Sequence, residues 1–474
     1  MASDIPTPAH KLAPGSDDQV RQMPIVFYSF NDDDALAVLR MLGPAKLAGL
    51  EVVQGVHNRV VDVEAVKQGK IVIIQREFGV DYNNYEKVID LTRSMNMPVI
   101  LDIDDLILAL PEDHPDRLAG NFSPALLPLL QSIIEADLIT VPTERLRENL
   151  LPYNPSIEVI PNYLDDSIWQ LKPPQIRDDP TAPVIIGYMG GHSHSPDLLL
   201  IQPALMELVQ KYQERIRFHF WGIEPPAELA PYAMVDWLPP HSSRYDDFAA
   251  YFQQQVIDIA IAPLCDNLFN SCKSAIKFLE YSAIGVAGVY SRVAPYLDMI
   301  EHEKHGLLAA TTEEWVSALS RLIESPELRS NLVQSAQQKI RQSWLLSHNL
   351  EKRINVYTTL QMNYYSGIKI YPFFFELEKS ITRQLYEQHL LNYHKEQKLK
   401  NQLIEKDDTI QYLKSRTSHQ DSTIQSLSSK ISEQDSTIQN QNQNLADLET
   451  EVMSYVTSRS WKLTRPLRKI LNKW

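Results

Sequence analysis

No glycine or proline occurs between residues 373 and 465, although the chain contains 15 glycines and 30 prolines in all. These two residue types most often end or bend a helix, so nothing in this stretch interrupts one. Within it the pentapeptide DDTIQ (407–411) recurs as DSTIQ at 421–425 and 435–439, a period of two heptads. The pattern predicts a long C-terminal helix with a coiled coil over residues 396–456.

The heptad register is set by taking Ile410 as position a. Position a is then apolar at seven of eight places and position d at five of nine. Isoleucine at a with leucine at d is typical of parallel dimers, so a homo-oligomer through residues 396–456 is predicted. The alternative is a single polar helix that lies across the globular part. The a positions are Leu403, Ile410, Thr417, Ile424, Ile431, Ile438, Leu445 and Val452, and the d positions are Leu399, Lys406, Leu413, Gln420, Leu427, Gln434, Gln441, Leu448 and Tyr455.

Composition excludes several classes of protein. The 474 residues are 44% hydrophobic, enough for two or three domains with buried cores. A formal charge of −15 argues against a nucleic-acid partner, because a duplex-binding face needs clustered lysine and arginine. Two cysteines are too few for a disulfide framework. The N-terminus does not resemble a signal peptide and no run of 18 apolar residues is present, so a cytoplasmic location is expected.

Two series of short β-branched runs precede the long helix, six in residues 24–170 and six in residues 184–345. Amphipathic stretches separate the runs, which is typical of a mostly parallel sheet with helices on both faces. The fold class is therefore α/β, with two Rossmann-like doubly wound domains whose strand carboxyl ends face one cleft. The remaining predicted segments are a disordered arm (1–23), a Pro- and Asp-rich linker (171–183), a helical connector (346–395) and a basic amphipathic tail (457–474).

The segment DNLFNSCKSAIKFLEYSAIG (266–285) follows one of these predicted strands. Asn270 or Ser271 is placed to cap a helix that opens with Cys272, Lys273 and Ser274. Lys273 and Lys277 would then share one helix face.

Such a helix start suits an anionic ligand. Free backbone NH groups, with lysines on the next turn, favour a diphosphate. Glu280 lies one turn further, where a carboxylate can accept hydrogen bonds from ribose hydroxyls. The alternative is an ordinary amphipathic helix with solvated lysines.

The stretches KSAIKFLEYSAIGVAGVYS (273–291) and EHEKHGLLAATTEEW (301–315) resemble the donor-binding signature of bacterial GT-B glycosyltransferases, in the retaining family four or glycosyltransferase group 1. In that family a Glu, seven residues, Glu motif contacts the donor sugar and the ribose. Glu280 matches the second glutamate, whereas Cys272 occupies the position of the first. The resemblance therefore leaves the sugar hydroxyls to Asn270, Asp266 or backbone groups.

A second resemblance concerns IGYMGGHSHSPDL (186–198), which is similar to the loop after the first strand of the family's donor domain. It implies that backbone NH groups at Gly190 and Gly191 approach the diphosphate, with His192 and His194 close by. VIPNYLD (159–165) resembles the family's interdomain junction, with Tyr163 in place of its usual glycine.

In the first half, VILDIDDLILALPEDHP (99–115) ends a predicted strand with acidic residues. An Asp-x-Asp metal site belongs to the other major glycosyltransferase fold, so no metal is predicted. Asp104 or Asp105 either orients a hydroxyl of donor or acceptor or caps the next helix. Arg76 and His114 are further cleft candidates.

Together these observations define the predicted site. The predicted catalytic residues are Glu280, Lys273, Lys277, Asp104 and Asp105, and the predicted donor-binding residues are Gly190, Gly191, His192, Asn270, Ser271, Cys272, Ser274 and Glu280.

The resemblance implies transfer of a sugar from a nucleotide diphosphate donor to a glycan or lipid-linked acceptor, with retention of configuration, in bacterial surface polysaccharide synthesis. The nucleotide sugar is a substrate, and no cofactor is predicted. Two alternatives remain open. One is a nucleotide-sugar epimerase on the same fold, and the other is a scaffold that has lost catalysis and works through its coiled coil.

The last residues, SRSWKLTRPLRKILNKW (458–474), carry six basic and no acidic side chains, interleaved with tryptophan, leucine and isoleucine. This pattern favours an anionic membrane surface and hence a peripheral location on the inner face of the cell membrane. The ending also resembles the tails of other surface-polysaccharide glycosyltransferases. The alternative is a helix that packs on the acidic body of the same protein.

Overall fold

The computed structural model describes residues 23–30, 35–175, 181–240, 242, 244–364, 373–457 and 468. Most of the predicted N-terminal arm and of the basic tail lies outside these residues, as do positions 176–180 of the predicted linker.

The first sheet has six parallel strands in the order β2-β1-β5-β6-β7-β8. Its central strands are short valine- and isoleucine-rich runs such as IVIIQ, buried at every residue. Parallel strands covered on both faces need such unbroken apolar runs, which is why the sequence signal was clear. A small β3–β4 hairpin stands apart. The strands are β1 Ile25–Tyr28, β2 Val52–Gln54, β3 Val56–His57, β4 Val60–Val61, β5 Ile71–Gln75, β6 Val99–Asp102, β7 Leu138–Val141 and β8 Ile157–Val159.

The second sheet is also six-stranded and parallel, in the order β11-β10-β9-β12-β13-β14. All twelve predicted strands are therefore present, and the predicted α/β class with two Rossmann-like domains is confirmed. The hairpin and the strand orders were not predicted. The strands are β9 Val184–Gly190, β10 Ile216–Gly222, β11 Val235–Leu238, β12 Ile259–Ala262, β13 Ala287–Ser291 and β14 Leu307–Ala309.

Helices connect the strands in both domains. In the first they are α1 Ala35–Ala37, α2 Gly43–Ala48, α3 Tyr82–Ser94, α4 Pro115–Ala119, α5 Leu126–Glu135 and α6 Glu144–Leu150, with a π-helical turn at Val38–Leu42 between α1 and α2. In the second they are α7 Ser195–Tyr212, α8 Tyr245–Phe252, α9 Leu268–Ser271, α10 Ile276–Ala283, α11 Tyr296–Met299, α12 Thr312–Glu324 and α13 Pro326–Ser343. After these come α14 Leu350–Tyr364 and α15 Phe373–Thr457.

After the second domain is complete, the chain returns to the first. Alternate residues of a strand point to opposite faces of a sheet, and Ile25 and Phe27 of β1 point to the face that α14 covers. Tyr357 of α14 joins that core and is 1% exposed. The first domain thus completes its core with residues that follow the second.

The linker between the domains is docked on the second domain. The Lys172 NH donates to the Ala283 carbonyl at 2.7 Å, and the Gln175 NH donates to the Gly285 carbonyl at 3.0 Å. Gly285 has φ +79°, and a Cβ there would collide with the Pro173 carbonyl. Only glycine fits this position.

A buried ion pair joins the sheet of the first domain to the junction that leads into the linker. Arg40, in the π-helical turn, is 1% exposed and binds both oxygens of Asp102, at 2.7 and 3.1 Å. Its remaining nitrogen donates to the Ile160 carbonyl at 2.7 Å and to Asn162 Oδ1 at 2.9 Å. Burial alone would raise the pKa of Asp102, but Arg40 outweighs it and the pKa is lowered.

The long predicted helix is present as α15, of 85 residues. The chain divides into two units, Met1–Leu390, which holds both sheets, and Leu391–Trp474. Near the start of α15, Arg383 pairs with Glu86 and Tyr386 donates to the Val80 carbonyl. Every residue from 401 to 457 is exposed, so the coiled coil stays a prediction. Among the described residues, no helix is sufficiently long and apolar to cross a membrane.

We expect Arg40→Met to lower the free energy of unfolding by about 3–5 kcal/mol, because it removes the only cation that is hydrogen-bonded to the buried Asp102 carboxylate among the described residues. A urea titration followed by tryptophan fluorescence measures this, with Lys46→Met, at an exposed position of α2, as the control. Equal transition midpoints for Arg40→Met and the control would contradict the assigned role of the ion pair.

Candidate functional site

Both sheets contribute to a cavity between the domains, which we call the cleft cavity, of about 170 Å³. Arg76 and Asp105 come from the first domain, just after β5 and β6. His194 and Asn270 come from the second, after β9 and β12. The carboxyl ends of parallel strands from both sheets therefore meet, where doubly wound folds bind ligands.

A network of charged side chains crosses this cavity. Arg76 Nη1 lies 2.6 Å from Asp104 Oδ1 and 3.7 Å from Asp105 Oδ2. From the second domain, Lys273 Nζ donates to Asp105 Oδ2 at 3.1 Å. This network of ion pairs thus connects the two domains.

The two neighbouring aspartates differ in acidity. Burial raises the pKa of Asp104 to about 7, against the influence of Arg76. Burial would also raise the pKa of Asp105, but Lys273 and Arg76 outweigh it and the pKa is lowered. The turn Ile107–Ala109 that follows has Leu106 as its N-cap and no side-chain cap, so neither aspartate performs the alternative capping role.

A second cavity, of about 330 Å³, lies in the second domain, and we call it the domain-two cavity. Its volume falls within the roughly 300–1,000 Å³ typical of small-molecule sites. The polar wall includes Gly190, Gly191, Lys277 and Glu280. The remainder is largely aromatic and apolar, and includes Trp221, Pro239, Pro240, Tyr245, Phe248 and Tyr251.

Glu280 is 3% exposed, on α10. Its Oε1 accepts a hydrogen bond from the Tyr245 hydroxyl at 2.8 Å, and Trp169 Nε1 donates to the same hydroxyl at 3.1 Å. Within the described residues, Oε2 accepts no hydrogen bond. Burial raises the pKa of Glu280 to about 7, although Tyr245 and Lys277 favour the ionised form. The free oxygen is available to a ligand.

Lys277 is half-buried and has no hydrogen bond or ion pair with any described residue. Burial lowers the pKa of its ammonium and the nearby Lys273 lowers it further, although Glu280, Asp197 and Asp105 act in the opposite direction from a longer distance. Because no described carboxylate lies within ion-pair distance of this partly buried cation, this side of the cavity suits an anion.

The glycine loop lies between the two cavities. Gly190 and Gly191 line the domain-two cavity, whereas His194 lines the cleft cavity. A Cβ at Gly191 would meet no atom within 4 Å, so this residue is open to a ligand. Gly222 supports the loop, because it has φ +85° and a Cβ there would lie 2.6 Å from the Gly190 carbonyl oxygen.

The two predicted histidines differ in environment. His192 is 74% exposed and lies 3.5 Å from Asp116 Oδ1. His194 Nδ1 lies 2.8 Å from Asp197 Oδ2. Burial lowers the pKa of His194 to about 4, and Lys277 contributes to the shift. His194 is therefore neutral at physiological pH.

The predicted helix start at Cys272 is wrong. The Asn267 side chain caps α9 by accepting from the Asn270 NH at 2.8 Å, and that helix ends at Ser271. The next helix, α10, begins only at Ile276. Because Asn267 is the cap, the first helix begins earlier in the sequence than predicted. Lys273 consequently lies in the break between two helices and does not share a helix face with Lys277.

Cys272 lies apart from both cavities. It is fully buried in a core cluster of the first domain. Its carbonyl accepts a hydrogen bond from Thr143 Oγ1 at 2.8 Å, and the Asn149 side-chain amide lies 3.6 Å from its Sγ. The structure places this predicted donor-binding residue as an interdomain packing contact.

The predicted serines and Asn270 are also separated from Glu280. Ser271 and Ser274 line a third cavity of about 520 Å³, and the Asn162 amide donates to Ser274 Oγ at 2.9 Å. Asn270 lines the cleft cavity, and its amide donates to the Cys265 carbonyl at 3.0 Å. The serine pair, Asn270 and Glu280 thus line three different cavities.

Sequence reasoning missed Tyr245, Trp169 and Gly222. Tyr245 lies 35 positions from the carboxylate that it binds, so no local spacing reveals the pair. Of these three residues only Gly222 could have been identified from the sequence, because it is a glycine at the end of a predicted strand. Among the described residues, no group of three or more His, Cys, Asp or Glu side chains is arranged to hold a metal ion.

Comparison with known proteins agrees with this architecture. Residues 201–355 match the sequence model of a family described as glycosyl transferase-like. The fold is similar to that of sucrose-phosphate synthase from Thermosynechococcus elongatus, with a TM-score of 0.51, 14% identity, 71% of this chain and 99% of that chain covered. The chain therefore shares the two-domain fold of that structure, and residues 201–355 are similar to the glycosyl transferase-like family.

Two further solved structures are similar at lower scores. Anabaena HepE in complex with UDP-glucose has a TM-score of 0.49 and 11% identity, with 72% of this chain and 100% of that chain covered. A glycosyltransferase from Rickettsia africae has a TM-score of 0.49 and 12% identity, with 72% and 99% covered. A search of curated protein sequences found no match.

We expect Glu280→Gln to stabilise the ligand-free protein at pH 8 but not at pH 5. The folded-state pKa of about 7 lies above the usual 4.5, so ionisation destabilises the fold as pH rises through this window. The melting temperature of Glu280→Gln minus that of wild type should increase by about 2–6 °C between pH 5 and pH 8. The exposed Glu207→Gln serves as the control. A difference between Glu280→Gln and wild type that is independent of pH would contradict the buried-carboxylate assignment.

Proposed function

We propose that this chain is a glycosyltransferase that holds a nucleotide diphosphate sugar in its second domain and transfers the sugar to a hydroxyl of an acceptor in the cleft. One observation carries the proposal. The domain-two cavity combines aromatic walls, the Glu280 carboxylate and the unpaired Lys277 ammonium beside an open glycine loop. The glycosyl transferase-like match over residues 201–355 includes Lys277 and Glu280 and supports the same conclusion.

The nucleoside is assigned to the domain-two cavity. Its aromatic and proline side chains suit a flat base, and the free Oε2 of Glu280 suits a ribose hydroxyl. Tyr245 holds the other carboxylate oxygen and so fixes the orientation of Glu280. A hydroxyl donor gains most from the ionised carboxylate, so ribose binding favours loss of the Glu280 proton.

The diphosphate is assigned to the space between Lys277 and the loop at Gly190 and Gly191. When the sugar leaves, negative charge grows on the diphosphate, and a cation fixed beside it stabilises the transition state more than the ground state. Lys273 supplies a second positive charge, which Asp105 partly neutralises in the ligand-free chain. These lysines supply the charge, so the proposed reaction requires no cofactor or metal ion.

The sugar and the acceptor hydroxyl are assigned to the cleft cavity. Asp105 is an ionised hydrogen-bond acceptor there, and Asp104 titrates near neutrality. Either can orient a hydroxyl. With Cys272 buried elsewhere, the sugar hydroxyls are left to Asn270 and the neutral His194, which line the same cavity.

A scaffold without catalysis is the second candidate function. The buried Cys272, at the position where the family has a carboxylate, is the observation that favours it. A nucleotide-sugar epimerase would need an acid and base pair dedicated to the sugar, and we do not favour it.

We further infer a retaining reaction, a glycan or lipid-linked acceptor and a role in bacterial surface polysaccharide synthesis on the inner face of the membrane. These inferences rest on the sequence resemblances of residues 273–291 and of the basic tail. The tail that would contact the membrane lies outside the described residues apart from Thr457 and Arg468.

An assay with the full chain, a panel of nucleotide diphosphate sugars and lipid or oligosaccharide acceptors tests the proposal by nucleotide release and linked product. With the donor that is accepted, Lys277→Met should lower kcat/KM by about 10²–10³-fold, the usual effect of removing one transition-state contact. Glu280→Ala should lower it by about 10–100-fold, through the loss of a charge-assisted hydrogen bond.

Lys211→Met, at an exposed lysine of the same domain, is the control and should retain full activity. Unchanged activity in both Lys277→Met and Glu280→Ala would reject the site. No product with any donor would reject the transferase and favour the scaffold.

A further inference from the structure

The helix beyond residue 390 exposes a regular apolar stripe. We call positions a and d between Leu399 and Tyr455 the heptad seam. Ile410 is 46% exposed and Ile424 59% exposed, and the other apolar members are similarly open. A helix of this length in water gains most of its stability from packing, so an unpartnered seam of isoleucine and leucine leaves its stability unexplained.

We propose that the seam is covered by a second copy of this chain, in a parallel, in-register, two-stranded coiled coil. The inference does not depend on the proposed transferase activity. β-branched Ile410, Ile424, Ile431 and Ile438 occupy position a, and Leu413, Leu427 and Leu448 occupy position d. This distribution favours two strands over three or four.

The glutamines of the seam select the register. In register, each of Gln420, Gln434 and Gln441 meets its own copy across the dimer, where two amides can bond to each other. A shift of one heptad places Gln420 against a leucine, either Leu413 or Leu427. A shift of two heptads preserves the DSTIQ repeat but places Gln441 against Leu427. Each shift therefore buries an amide against an apolar side chain.

Charges beside the seam agree with this register. In a parallel dimer, a residue at position g lies opposite the residue five positions later in the partner. Arg416 then faces the partner's Asp421, and Lys430 faces the partner's Asp435. A shift of one heptad brings Arg416 opposite the partner's Lys414 instead. None of these charged groups forms an ion pair within the described part of a single chain.

Two measurements on the full chain test the proposal. Light scattering should give twice the chain mass of 54.3 kDa. Leu413→Cys and Leu448→Cys, made separately and treated with a short bismaleimide, should each give a cross-linked dimer, because identical d residues meet only in a parallel, in-register pair. Two controls should not cross-link. One is Ser429→Cys, at the outward position f, and the other is the wild type, with its native Cys265 and Cys272.

Several outcomes would overturn the proposal. A monomer mass would favour the lone helix, and a trimer or tetramer mass would reject the dimer. A dimer that cross-links at neither cysteine, or at only one, would reject the parallel in-register arrangement. Transferase activity does not enter this test, so its result is independent of the proposed function.

A charge reversal gives a second, independent test. R416E/K430E should raise the dimer dissociation constant at least about tenfold, since the four predicted pairs become like-charged. R416E/K430E/D421K/D435K restores opposite charges and should return the constant to within about threefold of wild type. Equal dissociation constants for the reversed and restored variants would contradict the assigned pairing.

Discussion

The ion pair of Arg40 and Asp102 is the contact on which the position of the proposed site depends. Asp102 is the last residue of β6, and both its oxygens are bound by the guanidinium. The same guanidinium reaches Asn162, whose amide binds Ser274 of the second domain. A charge pair this deeply buried is stable only when its remaining hydrogen bonds are satisfied, and the interdomain junction satisfies them. The end of β6, the junction and the break before α10 are therefore held together.

That anchoring gives the two lysines different environments. Lys273, in the break between α9 and α10, reaches across the cleft to Asp105. Lys277, in the first turn of α10, forms no hydrogen bond or close ion pair with any described residue. In the ligand-free chain one lysine holds the domains and the other is available to an anion. A diphosphate would satisfy Lys277 and compete with Asp105 for Lys273, so we infer that donor binding and interdomain contact are linked.

The sequence was sufficient for the architecture because buried parallel strands leave continuous apolar runs, as in IVIIQ at Ile71–Gln75. It also placed Lys277, Glu280, Gly190 and Gly191, which lie on one cavity wall, because they belong to one motif and one loop. It failed where a contact joins distant segments. No sequence spacing connects Tyr245 with Glu280. The sequence pattern also did not identify Asn267 as the helix cap, so Cys272 was wrongly predicted to open a helix in the site.

Binding of nucleotides to the wild-type chain tests the central claim most directly. Titration calorimetry would compare a nucleoside diphosphate with its monophosphate and with its 2′-deoxy form, for each common base. The account predicts that one base is preferred. It also predicts that the diphosphate binds at least about tenfold more tightly than the monophosphate, because Lys277 contacts the diphosphate. Loss of the ribose hydroxyl should weaken binding, because Glu280 accepts a hydrogen bond from it. Equal affinity for all forms, or no binding of any of them, would contradict it.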